Sequence, residues 1–169
     1  MKQLNQYFRA LIFFLLVSLN CFAQEKNPIY DIEFHFGHSR RIPYAKVDIK
    51  IVRRGDHYKL FLKSSPRDSS GQWNYSKKDT SFVISKEKFD ELVKEVESIS
   101  CTDIVKDAGT MGFDGNSCEI MFGSYGSSIT YKIWSPEADT RKRNLNHFLN
   151  ACNLILKTAG LKPDDILEK

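Results

Sequence analysis

Four histidines and four cysteines, with several close pairs of carboxylates, are the groups in this 169-residue chain that could bind a metal or activate a nucleophile. His35 and His38 lie three apart, a spacing that can bring two imidazoles together at a strand end. It is not the i, i+4 helical pair of a zinc hydrolase, and no cluster of His, Cys or Glu nearby completes a tetrahedral set. Acyl transfer needs a nucleophile on a recognisable turn with a base beside it, and no strand-turn-helix elbow occurs. His57 stands at a strand start and His147 just outside an apolar helical stripe, neither with a visible partner. Asp31 with Glu33, Asp107 with Asp114, and Asp164 with Asp165 read as solvated faces, turns and a chain end rather than the two carboxyls of a glycosidase. The glycines from Gly109 to Gly126 match neither phosphate-binding fingerprint, and Arg54-Gly55-Asp56 is a short charged turn. No catalytic residue, metal ligand or cofactor site is expected.

What remains is chemistry of recognition. Trp73, Tyr75, Trp134, Arg141 and Arg143 are residue types that dominate interface energetics, and Asp114 sits in a Gly-rich loop between elements. These six are the expected partner-binding residues, with Trp134 exposed at a strand end. The loops Ser64 to Lys78 and Asp103 to Ser117 are the segments expected to present such a surface.

The N-terminus sets the compartment. Lys2 and Arg9 precede an uncharged apolar run from Ala10 to Val17, the pattern of a secretory signal peptide over residues 1–23, with cleavage after Ala23. That run is about half the length a bilayer requires, and Asn20 and Leu19 fit poorly before a lipidated Cys21, so neither a membrane anchor nor a lipid anchor is expected. Without Lys2 and Arg9, 23 of the 25 basic residues remain against 21 acidic ones, a net charge of about +2. With no block of like charges, nucleic acid is not expected as a partner. Cys101, Cys118 and Cys152 remain after export, enough for one disulfide. Cys101 with Cys118 is the expected bridge, joining a helix end to a strand start; Cys118 with Cys152 is the alternative.

The elements that must hold this surface follow from periodicity. Apolar residues alternate at Tyr30 to Phe36, Ala45 to Ile51, Tyr58 to Leu62 and Thr80 to Ile84, predicting four strands. Ser85 caps a helix whose apolar positions are Phe89, Leu92, Val93, Val96 and Ile99. Asp103 to Ser117 reads as a loop with at most a short helical turn. Cys118 to Phe122 and Ile129 to Ile133 form a hairpin around the Gly-rich turn from Gly123 to Ser128. Ser135-Pro136-Glu137 then reads as an N-cap, a first-turn proline and an acidic first turn. The helix is predicted from there to Gly160, with Leu145, Phe148, Leu149, Cys152, Ile155, Leu156 and Ala159 as its apolar stripe. The order β-β-β-β-α-β-β-α over a single domain, residues 24–169, predicts an α+β fold: one antiparallel sheet with both helices on one face.

Asp114-Gly115, Trp134-Ser135-Pro136, Arg141 to Arg143 and Phe148 to Cys152 together resemble small exported bacterial α+β proteins. In size, export and layout the chain is also similar to periplasmic immunity proteins, which bind and neutralise toxins delivered between competing cells. The resemblance covers the last third of the chain. It implies a non-enzymatic protein of the periplasm or secreted space whose partner is another protein, a toxin or effector. An envelope hydrolase and a ligand-binding or structural envelope module are the alternatives.

Overall fold

The computed structural model describes residues 28–39, 43–71 and 74–167. The expected signal peptide, Cys21 and Trp73 lie outside the described residues. Strands β1 (Asp31–His38), β2 (Tyr44–Arg54), β3 (His57–Pro66) and β4 (Lys78–Val83) come first. Helices α1 (Lys86–Glu97) and α2 (Cys101–Asp107), strands β5 (Asn116–Ser124) and β6 (Ser127–Trp134) and helix α3 (Asn146–Thr158) follow, before a short 3-10 turn at Pro163–Asp165. All six strands form one antiparallel sheet in the order β4-β3-β2-β1-β5-β6. The fold is α+β, as the pattern of strands followed by helices predicts. No helix among the described residues is long and apolar enough to cross a membrane.

Strict alternation makes the sheet two-faced. Ile32, Phe34 and Phe36 of β1, Val47, Ile49 and Ile51 of β2, and Cys118 and Ile120 of β5 are buried on the helix side. Phe89, Leu92, Val93 and Val96 of α1 and Phe148, Cys152, Ile155 and Leu156 of α3 close over them as one core. The opposite face is charged and its carboxylates are paired with basic side chains, across the strands or along β2. Lys50 meets Glu33 at 2.5 Å, Arg54 meets Asp31 at 3.0 Å, and Asp48 takes both His35 and Lys46, at 2.8 and 2.9 Å. Exposed pairs of this kind contribute little stability each, but they agree with the register the inner face demands.

Two helical segments differ from expectation. The segment read as loop contains α2, capped by the Ser100 hydroxyl, which accepts from the Asp103 N–H at 3.3 Å. The last helix begins at Asn146, ten residues beyond the expected start. Two of its three N-terminal signals, Ser135 and Glu137, serve tertiary bonds instead. Ser135 has φ 38°, and its hydroxyl accepts from the Asn116 N–H at 3.3 Å. The Glu137 carboxylate accepts from Asn116 Nδ2 at 2.9 Å. Asp139 and Asn144 sit at φ 52° and 57°, which no helix contains. The C-terminus is as expected. Gly160 at φ 74° lets its N–H reach the Lys157 carbonyl and the Leu161 N–H reach that of Leu156.

Candidate binding loop

Asp107 ends α2, and residues 108–115 then cross to β5 as an exposed loop. Met111 is 84% exposed and Phe113 fully so. Two large apolar side chains held in water on one short loop make it a candidate docking surface. The backbone that carries them is fixed from several sides. At its first foot, the Arg143 guanidinium grips Asp107 with two parallel bonds, Nε to Oδ1 and Nη2 to Oδ2, each 2.8 Å. The same guanidinium donates to the carbonyls of Ser135, Ala138 and Trp134, at 2.6, 2.9 and 2.8 Å. Arg143 is only 10% exposed, so these bonds act in a partly dried setting where a bidentate pair is strong. Hydrogen bonds from Arg143 hold the Asp107 carboxyl below the usual carboxylate range, against the opposing effect of burial. The Thr110 hydroxyl also donates to Asp107, at 3.0 Å.

At the second foot, Gly115 and Ser39 exchange bonds: the Ser39 N–H donates to the Gly115 carbonyl at 3.0 Å, and the Gly115 N–H to the Ser39 hydroxyl at 3.1 Å. Between the feet lies the indole of Trp134. A Cβ at Gly112 would fall inside that ring, so only glycine lets the backbone lie this close. Phe113 and Trp134 then border a crevice of about 490 Å³ that runs to Ser39 and Lys46, with His38 and Asn116 lining it.

The expected site residues separate on this geometry. Asp114 is exposed within the loop, and Arg141 is exposed in the turn before α3. Trp134 is half-buried beneath Gly112 and Gly115 rather than exposed, because the loop folds over it. Arg143 is built into the frame of the loop. Tyr75 is half-buried elsewhere, bridged to Arg67, and its hydroxyl has no hydrogen-bond partner among the described residues. The sequence reading singles out neither Met111 nor Phe113. The available signal was two large apolar residues, without periodicity, in a Gly- and Asp-rich segment.

The expected disulfide is a correction. Cys101 and Cys118 are free thiols, as is Cys152. Cys101 opens α2 at the surface, whereas the alternation of β5 turns Cys118 inward beneath α3, fully buried. Burial pushes the Cys118 thiol well up, and contact with Cys152 adds to this. Such a thiol is held protonated and away from solvent, the reverse of an activated nucleophile. The two histidines do not converge either: His35 points out to Asp48 while His38 is buried on the other face. No group of three or more metal-ligating side chains is assembled among the described residues.

No family model matches the chain, and no curated protein does. Among solved structures it aligns with a chain from the crystal structures of Trypanosoma bruciei MRP1/MRP2, at 9% identity over 86% of this chain and 94% of that one. The TM-score is 0.25, a likeness from which neither fold nor function follows.

Proposed function

We propose that this protein is an exported, non-enzymatic binding protein that docks another protein through loop 108–115, and that it is an immunity protein neutralising a toxin in the periplasm. The observation that carries the docking reading is the pairing of Met111 and Phe113, both in solvent, with a backbone clamped by Arg143, Ser39 and Trp134. A loop held at both feet loses less freedom on binding than a free one, so more of the burial of two large apolar side chains goes into affinity. The partner it fits has an apolar crevice that admits a phenyl ring. Export and the immunity role rest on the leader pattern and on the resemblance in layout.

The test is co-purification of the full chain with the product of the gene beside its own, followed by mass determination of the complex. A one-to-one complex that abolishes that product's toxicity is the expected result. Phe113→Asp should weaken it at least about thirtyfold, as loss of a central anchor does. A lone monomer that leaves the product toxic contradicts the reading and favours a ligand-binding envelope module.

A further inference from the structure

The last strand of the sheet has an unused edge beside an apolar cavity. Along an antiparallel pair, residues alternate between bonding the neighbour and facing away from it. The Ser135 N–H bonds the Asn116 carbonyl at 2.9 Å. Counting back in register, Ile133, Tyr131 and Ile129 bond β5, and Trp134, Lys132, Thr130 and Ser128 turn their N–H and C=O groups outward. Arg143 takes the Trp134 carbonyl. The outward main-chain groups of Lys132, Thr130 and Ser128 make no hydrogen bond among the described residues.

On the helix side of the same strand, Ile133 and Tyr131 are buried, but Ile129 is 49% exposed. It stands at a cavity of about 350 Å³ between the hairpin, the residues before β1 and the end of α1, with Ile29, Ile99, Phe122 and Tyr131 among its walls. That volume is at the small end for a binding pocket and holds one large side chain with room to spare. The other edge, β4, has six residues against the eight of β6 and begins with the charges of Lys78 and Asp79. Charges of that kind discourage pairing.

We infer that β6 accepts an extended segment of the partner protein as a seventh strand, with one aliphatic or aromatic side chain seated at Ile129. This deepens the docking reading and rests on it. Loop 108–115 stands over the Trp134 end of β6 and the cavity lies at the Ser127 end, so one partner engages both along roughly 26 Å of strand. Main-chain bonds supply affinity in such strand addition, and the pocket supplies selectivity.

The test titrates the ¹⁵N-labelled full chain with a capped heptapeptide of alternating threonine and leucine. Saturable shifts at the amides of Ser128, Thr130, Lys132 and Ile129 are expected. Thr130→Pro, which removes an edge-facing N–H and leaves the ladder to β5 intact, should abolish them, with folding checked by circular dichroism. Ile129→Gln should weaken binding about tenfold while keeping the edge. Methylating alternate amides of the peptide should abolish binding as well. No shifts at these amides, or shifts that Thr130→Pro leaves intact, overturn the inference. A concentration-dependent dimer that Thr130→Pro dissociates assigns the edge to a second copy and overturns it too. If the peptide does not bind while the partner complex still responds to Phe113→Asp, strand addition falls and loop docking stands.

Discussion

Arg143 and Asp107 are 36 residues apart in sequence, and their pairing anchors the first foot of loop 108–115. Removing one member of a buried, hydrogen-bonded ion pair leaves the other charge uncompensated. Arg143→Ala should therefore cost about 3 kcal/mol in chemical denaturation and speed amide exchange in residues 108–115. A variant of unchanged stability would remove the clamp from the account. The same pair sets a pH response. Asp107 titrates below its ordinary value when folded, as does Asp48, where hydrogen bonds from His35 and Lys46 outweigh the opposing effect of burial. A depressed carboxylate binds fewer protons folded than unfolded, so its contribution is present above the unfolded pKa of about 4 and is lost as pH falls through the folded value. Stability should fall in that acid range, and Asp107→Ala should flatten the fall. Neither partner of this pair was legible as such. Asp107 read as a turn residue and Arg143 as a surface contact, because the pairing is set by tertiary approach, not by spacing.

At the level of elements, β1, β2, β3 and β5 were readable from alternation, since one face of the sheet is dry and the other wet there, whereas β4 is exposed along its whole length. The start of α3 was not. Ser135, Pro136 and Glu137 form a valid capping pattern, but the Ser135 hydroxyl and the Glu137 carboxylate both bond Asn116 on β5. Local propensity gave way to tertiary bonds. The apolar stripe that begins at Leu145 was the truer signal. Two substitutions distinguish the alternatives. Asp139→Gly and Asn144→Gly replace residues at positive φ and should be neutral or slightly stabilising in thermal unfolding. Inside a helix running from Pro136, each would cost about 1 kcal/mol. Gly112→Val should lift the loop from Trp134, and in a Trp73→Phe background the remaining indole emission should move to the red.

At the scale of the molecule, the six strands and three helices of the described residues fold around one core. The thiols report the layering. Cys101 should react with a maleimide in the native chain, whereas Cys118 and Cys152 should react only on unfolding, as counted by mass spectrometry. Early protection of Cys101 together with Cys118 would indicate the bridge that the structure lacks. Loop 108–115 carries the docking account, and its apolar tip escaped the sequence reading because Met111 and Phe113 follow neither the period of a strand nor that of a helix. Only their exposure on a clamped backbone distinguishes them from core residues. The decisive measurement is the affinity of the full chain for the adjacent gene's product, with and without Phe113→Asp. The account predicts a tight one-to-one complex that this single substitution weakens at least about thirtyfold with no change in thermal stability. A complex of undiminished affinity in that variant would contradict it.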